Sequence, residues 1–219
     1  MKNIPLVSRF IVLCLSCLAL LAPLAARADK PQLFQDYVPL NQPQPTSSGK
    51  RVEVIEFFWY GCPHCFHLEP ALNQWLKKLP KDVAFRRVPA LANPGWLPLA
   101  KAYYALAALN LLPRLNDKLF DAIHVTHEVT GEASLFDWVA RQGVSRRQFV
   151  EAYRSFTIQN EVLHAKEMTQ AYGIDGVPTL VVDGKYTTSP AMTGSYPRLF
   201  ATLDYLIGIS RQARLAGKH

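Results

Sequence analysis

The sequence is poor in cysteine. Of its 4 cysteines among 219 residues, Cys14 and Cys17 lie near the N-terminus, and Cys62 and Cys65 are separated by only two residues. Small secreted proteins that depend on disulfides use several bridges between distant segments. A bridge over two intervening residues removes little chain entropy from the unfolded state, so it adds little stability. The sequence therefore excludes a disulfide-stapled scaffold, and we expect the close pair to serve chemistry.

Long apolar segments are also scarce, and the only one lies at the N-terminus. A basic start, an apolar run over residues 10–21 and an A-x-A pattern at residues 26–28 are typical of a cleavable secretory signal. We expect cleavage after residue 28, because the run is shorter than the about 20 residues of a membrane-spanning helix. The alternatives are an uncleaved anchor and lipid attachment at Cys17; the second is disfavoured because the apolar run continues past Cys17. The sequence thus predicts an exported protein.

Surplus charge is modest. Without residues 1–28, the chain keeps 21 of its 24 basic residues and all 17 acidic ones, a formal net charge of +4. The basic residues are dispersed rather than clustered, so a nucleic-acid-binding surface is not expected. Repeats and low-complexity segments are absent as well. This composition is typical of one globular unit.

The most informative feature that is present is the motif Cys62-Pro63-His64-Cys65. Residues 51–60 before it are rich in β-branched and aromatic side chains, which favours a buried strand. Apolar residues after it recur at helical spacing, and a proline at this place suits a first helical turn. These patterns predict that Cys62 lies at the N-terminus of a helix.

That position predicts a reactive thiol. Unpaired backbone N–H groups and the positive end of the helix dipole stabilise a thiolate, so they should lower the pKa of Cys62. Cys65, one turn further into the helix, is expected to be more buried and to act as the resolving thiol. His64 can place a cationic or hydrogen-bonding imidazole beside the Cys62 thiolate, which favours the dithiol over the disulfide. We therefore predict an oxidising pair.

The rest of the chain alternates strands and helices around a long helical block. A strand, a helix and a second strand in this order indicate a parallel pair. The Asp183-Gly184 pair predicts a hairpin turn, Ser134 and Ser145 are predicted N-caps, and two glycines, at 143 and 173, mark predicted helix ends. The predicted elements are one short edge strand within an irregular segment at 29–50, strands at 51–60 and 83–88, helices at 63–79, 97–110, 115–127, 135–142, 146–156 and 158–172, a hairpin at 178–188, and a last helix at 197–213.

This pattern resembles the thioredoxin fold and, more closely, the DsbA family of exported thiol:disulfide oxidoreductases. The resemblance implies an α/β fold, in which a thioredoxin-like domain at residues 29–95 and 173–219 carries an inserted α-helical domain at residues 96–172. It covers nearly all of the chain after residue 28. The segments that carry it are Glu56-Phe57-Phe58, Cys62-Pro63-His64-Cys65, Pro70 within the following helix, and Gly176-Val177-Pro178 at the start of the hairpin.

The resemblance also implies a role for each residue of the site. Cys62 would be the exposed nucleophile that forms a mixed disulfide, and Cys65 its buried partner. Val177-Pro178 would be a cis-proline loop that packs against the cysteine pair and offers its backbone to an extended substrate peptide. Glu56 would be a buried acid and a candidate proton acceptor for Cys65, and burial in an apolar strand should raise its pKa. The alternative for Glu56 is an ordinary edge-facing carboxylate.

The reaction and its setting follow from the same resemblance. In the periplasm, the disulfide of the cysteine pair would pass to newly translocated, unfolded proteins that contain cysteine. A DsbB-type membrane quinone reductase would then reoxidise the dithiol. The resemblance implies no dissociable cofactor, no metal and no nucleic-acid partner, and a monomer is expected.

Other interpretations stay open beside this one. A disulfide reductase or isomerase on the same fold would differ in redox poise, and a non-catalytic holdase would bind peptides through the apolar surface around the cis-proline loop. A zinc site is disfavoured because no second cysteine pair exists, and a c-type haem is excluded because Phe66 follows Cys65 where histidine would be needed. Arg86 or Arg87, on the second strand, could approach the active site from the sheet, but solvated charges are the favoured interpretation. The helical histidines at 124, 127 and 164 are expected at the surface or satisfied within the core.

Overall fold

A computed structural model gives the structure of residues 29–216. The predicted signal peptide, residues 1–28, lies outside the described residues. In chain order the elements are β1 (Val38–Pro39), β2 (Val52–Phe58), α1 (Pro63–Leu76), β3 (Val83–Pro89), a 3₁₀ turn (Pro94–Trp96), α2 (Leu97–Ala108), α3 (Leu112–His124), α4 (Glu132–Arg141), α5 (Arg146–Arg154), α6 (Phe156–Ala171), β4 (Thr179–Val182), β5 (Tyr186–Thr188), α7 (Pro190–Thr193) and α8 (Tyr196–Ala216).

Strand β2 lies inside the sheet, and its composition accounts for that place. All seven of its residues are buried, as expected for a run of β-branched and aromatic side chains. It pairs in parallel with β3 and antiparallel with β4, in a five-stranded sheet of order β1-β5-β4-β2-β3. The predicted parallel pair is therefore confirmed. The short edge strand expected within residues 29–50 is β1, which pairs with β5.

The two faces of the sheet pack against different helices, because successive strand residues point to opposite sides. Val54 and Leu180 lie in a core that they share with residues of α1 and α8. Ile55 and Val181 lie in a second core, together with Met168 of α6. Helices thus cover both faces of β2, and the residues that follow this strand emerge between them.

Helices α2 to α6 follow one another between β3 and β4 and have a core cluster of their own. Large, fully buried side chains such as Trp138 and Phe149 fill it. The same cluster contains Phe58, Cys62 and Cys65, so the cysteine pair lies where these helices meet the end of β2. Residues 31–216 lie in a single compact unit, and the predicted domain boundaries at residues 96 and 173 stay predictions.

The predicted helix ends are partly confirmed. Ser145 caps α5, where its hydroxyl accepts a hydrogen bond from the backbone N–H of Gln148 at 3.4 Å. The prediction that Ser134 is an N-cap is wrong, because α4 begins at Glu132 and the Ser134 hydroxyl reaches back to accept from the N–H of Gly131 at 3.0 Å. Helix α3 begins at Leu112, three residues before the predicted start, since a proline is tolerated in a first turn. Within residues 29–216, none of the helices combines the length and the apolar character needed to span a bilayer.

The hairpin of β4 and β5 confirms the predicted turn. Asp183 and Gly184 have φ values of 56° and 62°, the left-handed conformation that a tight two-residue turn requires. A Cβ atom at Gly184 would also clash with the backbone carbonyl of Gln44. Two constraints, one conformational and one steric, therefore require glycine at this position.

We predict that Gly184→Ala destabilises the protein more than Gly173→Ala. Gly173 shares the φ of 62°, but no atom lies within 4 Å of the place that a Cβ would take, so alanine there should cost only the left-handed penalty of about 1–2 kcal/mol. Alanine at position 184 should cost about 1–3 kcal/mol more, because the Gln44 backbone must shift. Denaturant unfolding of the two variants measures the difference, and equal losses would contradict the steric part of this explanation.

Candidate active site

The cysteine pair lies at the start of α1, directly after the sheet. Cys62 is the N-cap residue of α1, with Pro63 in the first turn. A short turn connects β2 to this cap, in which the N–H of Cys62 donates to the carbonyl of Trp59 at 2.9 Å. The predicted placement of Cys62 at a helix N-terminus is confirmed. Both cysteines are free thiols, so the structure describes the reduced dithiol.

The Cys62 sulfur faces the loop that precedes β4. In its protonated form the thiol donates to the carbonyl oxygen of Val177 at 3.3 Å. The Val177-Pro178 peptide bond is cis, as the resemblance implied. Only 7% of the Cys62 surface is exposed. The expectation of an exposed nucleophile is therefore wrong in degree, because Cys62 belongs to the buried core cluster that also contains Phe58 and Cys65.

The pKa of the Cys62 thiol is lowered to about 6. The largest cause is a hydrogen bond from the Cys65 thiol, followed by hydrogen bonds from the backbone N–H groups of Cys65 and His64 in the first turn of α1. The charge of His64 adds a smaller contribution in the same direction, and burial opposes all of them. At neutral pH the thiolate is thus the main form of Cys62.

Cys65 has the opposite character. It has no exposed surface, and burial is the main reason why its pKa is raised. The hydrogen bond that it donates to Cys62 and the nearby carboxyl of Glu56 raise the pKa further. Two thiols three residues apart therefore ionise very differently, as the sequence predicted.

Beneath the pair lies a buried cluster of two carboxyl groups and one guanidinium. Arg87 donates from Nε to Glu56 at 2.8 Å and from Nη2 to both oxygens of Glu69 at 3.0 Å. All three side chains are largely or completely buried. The alternative of an edge-facing carboxylate at Glu56 is wrong, because β2 lies between two strands and its residue 56 has no exposed surface.

A single positive charge compensates only one of the two carboxylates. Burial is the main cause of a raised pKa at both Glu56 and Glu69, and Glu69 reaches about 8. Through charge repulsion, Glu56 also raises the pKa of Cys65 and of Glu69. Glu69 therefore keeps its proton at neutral pH. Oε1 of Glu56 is buried and has no hydrogen-bond partner among residues 29–216.

The sequence predicted this cluster only in part. The favoured expectation of a solvated charge is wrong for Arg87, and the alternative that one of the two arginines approaches the active site is correct for it. The sequence did not separate it from Arg86, which forms a partly buried ion pair with Glu53 at 3.3 Å. Glu69 was overlooked, although its position four residues after Cys65 places both side chains on one face of α1. Helical spacing was thus a usable signal for Glu69, whereas no local signal separated the two arginines.

The cluster continues into α3 and toward the surface. Asn116 donates to Glu69 at 3.2 Å and accepts a hydrogen bond from the hydroxyl of Tyr60 at 2.8 Å. A cavity of about 450 Å³ opens beside Arg87 and Asn116. The buried charges therefore lie close to an opening between α1, α2 and α3.

Side chains that could bind a metal ion do not cluster in the part of the chain that the structure describes. Between residues 29 and 216, no group of three or more histidine, cysteine, aspartate or glutamate side chains could hold a metal ion. His64 and His67 of α1 are both exposed. The zinc alternative thus finds no third and fourth ligand among these residues.

Similar proteins carry the same architecture. Residues 53–198 match the family described as DSBA-like thioredoxin domain. The thiol:disulfide interchange protein DsbA of Burkholderia cepacia is 42% identical over 180 residues, which is 81% of this chain and 84% of that protein. The solved structure of Pseudomonas aeruginosa DsbA is 36% identical with a TM-score of 0.78, and covers 85% of this chain and 97% of that one. The oxidoreductase DsbA from Xylella fastidiosa is 30% identical with a TM-score of 0.78, over 84% of this chain and 100% of that one.

We predict that His64→Gln raises the pKa of the Cys62 thiol, because the variant removes a positive charge that stabilises the thiolate. The increase should be about one pKa unit or less. Thiolate absorbance of the reduced protein as a function of pH measures it. His67→Gln, which changes an exposed histidine of the same helix, serves as the matched control and should leave the titration unchanged. Equal shifts in the two variants would contradict a specific role for His64.

We also predict that the disulfide form loses stability as the pH rises from about 5 to about 8. The pKa of Glu69 is near 4.5 ordinarily and about 8 in the folded protein, so in this window the unfolded chain releases a proton that the folded protein keeps. The free energy of unfolding should fall by up to about 1.4 kcal/mol per pH unit. Glu69→Gln should make this slope smaller, because it removes the contribution of Glu69.

Glu167→Gln provides the control for that measurement, because Glu167 is an exposed acid of α6. The slope should persist in this variant. The disulfide form is used so that no thiol titrates in the same range. A wild-type stability that stays constant between pH 5 and pH 8 would show that Glu69 is ionised in the folded protein.

Proposed function

This chain belongs to the family of DsbA-like thioredoxin domain proteins, and from that premise we propose how its residues perform disulfide exchange. The fold is the thioredoxin-like fold of DsbA. The protein is a thiol:disulfide oxidoreductase that donates a disulfide to other proteins. What remains to be assigned is the part that each residue takes in the reaction.

Cys62 is the sulfur that the substrate attacks. A substrate thiolate bonds to the Cys62 sulfur of the disulfide, and the bond between Cys62 and Cys65 breaks. The second substrate thiol, after losing its proton to solvent, attacks the substrate sulfur of this mixed disulfide, and Cys62 leaves as a thiolate. Two electrons thereby pass from the substrate to the cysteine pair. The observation that carries this assignment is the low pKa of Cys62, about 6, beside a buried Cys65 whose pKa is raised, since an acidic thiol is the better leaving group.

Glu56 supplies the proton that Cys65 needs. The thiolate that forms at Cys65 in the first step is buried and is a strong base, so it must be protonated. The pKa of Glu56 is raised by burial, so this carboxyl keeps its proton more readily than an ordinary glutamate does. In the reverse direction, when the dithiol is reoxidised, the same carboxyl accepts the proton from Cys65. Arg87 limits the charge that develops when Glu56 is ionised.

The Val177-Pro178 loop holds the substrate backbone. Val177 is half-buried, and its carbonyl lies 3.3 Å from the Cys62 sulfur. Because proline has no N–H, the loop leaves strand pairing here and offers backbone groups to an extended peptide. His64 at the exposed edge of the motif acts through its charge on the Cys62 thiolate.

The wider setting of the reaction is also part of the proposal. The substrates are unfolded, newly translocated proteins that contain cysteine, and a DsbB-type membrane quinone reductase restores the disulfide. The signal-like sequence of residues 1–28 supports export to the periplasm. We expect the protein to act as a monomer without a dissociable cofactor.

Trapping the mixed disulfide tests the assignment of Cys62. In a Cys65→Ala variant, Cys62 is first converted to its mixed disulfide with thionitrobenzoate, a coloured leaving group. An unfolded protein with one cysteine should displace it and accumulate bonded to Cys62, because no second thiol is present to resolve the adduct. An unfolded protein with two cysteines should instead leave with its own disulfide.

Three results would contradict the proposal. In Cys62→Ala the remaining Cys65 is buried, so this variant should form no adduct. Adducts at Cys65 would show that Cys65, and not Cys62, is the nucleophile. Equilibration of the wild-type pair with glutathione tests the direction of the reaction, and a couple as reducing as that of thioredoxin would favour a reductase. If Cys62→Ala kept the full activity of the wild type, the peptide-binding holdase would be the only interpretation left.

A further inference from the structure

Tyr60, two residues before Cys62, is held by one helix at three points. Its hydroxyl donates to Oδ1 of Asn116 at 2.8 Å. Its ring packs edge-on against Phe120, with the ring centres 4.7 Å apart and an angle of 62° between the planes. Its backbone carbonyl accepts a hydrogen bond of 2.7 Å from Nε2 of His124. All three partners belong to α3.

The spacing of these partners explains why they converge on one residue. Residues 116, 120 and 124 follow one another at intervals of four, so their side chains lie on the same face of α3. Asn116 and Phe120 are buried, and His124 is the half-buried last residue of the helix. A single face of α3 therefore holds the residue from which the chain turns toward the motif.

His124 contacts the motif from the other side as well. Its ring stacks on Phe66, with the ring centres 4.9 Å apart and the planes inclined by 15°. Phe66 follows Cys65 directly, and Tyr60 precedes Cys62 by two residues. One imidazole therefore touches the chain on both sides of the active cysteines.

The chain between Tyr60 and Cys62 needs contacts from another element to restrain it. Gly61 lies under the indole of Trp59, where a Cβ atom would clash with the ring, so no other residue fits without movement. A glycine adds conformational freedom to the loop that aims the Cys62 sulfur. The sulfur receives hydrogen bonds from backbone N–H groups of residues 64 and 65, and those bonds depend on where the loop delivers it.

We propose that His124 is a positioning residue for disulfide exchange, whose hydrogen bond to the Tyr60 carbonyl holds the loop so that the Cys62 sulfur stays aimed at the N-terminus of α1. This inference rests on the proposed role of Cys62 as the nucleophile. His124 acts through position rather than charge, because the charge contributions at Cys62 come from His64 and not from His124.

A pair of substitutions separates the hydrogen bond from the packing. His124→Leu keeps an apolar contact with Phe66 but cannot donate to Tyr60. His124→Gln loses the ring but retains an amide N–H at a similar distance from the backbone, so it can restore the hydrogen bond. His164→Leu is the control, because His164 is an exposed histidine of α6.

We expect His124→Leu to raise the apparent pKa of the Cys62 thiol by about half a unit, equivalent to an about threefold smaller ratio of thiolate to thiol. Alkylation of Cys62 below pH 6 should slow by a similar factor, and the equilibrium with glutathione should move about threefold toward the disulfide. His124→Gln should recover most of each change, and His164→Leu should match the wild type.

Unfolding of the oxidised and reduced forms distinguishes positioning from a general loss of stability. A His124→Leu variant that loses the same stability in both forms, with the Cys62 titration and the glutathione equilibrium unchanged, overturns the proposal. So does a His124→Gln variant that behaves like His124→Leu. If wild-type Cys62 itself titrates like an ordinary thiol, the proposed function fails; if it is acidic and His124→Leu leaves it so, only the positioning role fails.

Discussion

The different surroundings of two sulfur atoms three residues apart underlie everything else in this site. Cys62 lies at the N-terminal end of α1, where backbone N–H groups and the Cys65 thiol stabilise its thiolate. Cys65 lies inside the core, where burial prevents its ionisation. A dithiol whose thiolate is stabilised by hydrogen bonds is more stable than an ordinary dithiol. The disulfide carries no charge, so the same groups do not stabilise it. The fold thus makes the disulfide less stable than the dithiol, and a disulfide of this kind is a good oxidant.

The buried cluster under the cysteines extends the same principle. Burying two carboxyl groups with one guanidinium leaves one carboxyl without a compensating charge, and desolvation is costly enough for that group to keep a proton. Arg87 bridges β3 to β2 and α1 through Glu56 and Glu69. In the proposed mechanism, a proton held near Cys65 serves a sulfur that must lose and regain one.

The helical block contributes to the chemistry without supplying a reactive group. One face of α3 holds Tyr60 by its hydroxyl, ring and carbonyl, and Asn116 connects that residue to the buried carboxyl of Glu69. The inserted helices therefore do more than cover the end of the sheet. They restrain the short loop on which the direction of the Cys62 sulfur depends, and they bring an opening close to the buried charges.

The sequence by itself determined the features that act through neighbouring residues. Strand composition, a proline in a first helical turn and the Asp183-Gly184 turn are local, so they predicted β2, α1 with Cys62 at its N-terminus, and the hairpin. The role of cis-proline came only from the resemblance to a family. Only the tertiary structure decided that Arg87, rather than Arg86, meets Glu56 across 31 residues of sequence, and that His124 meets Tyr60 across 64. Such contacts depend on strand register and on how helices dock. Packing of the whole core sets both, so the residues next to Arg87 or His124 in the sequence do not predict these contacts.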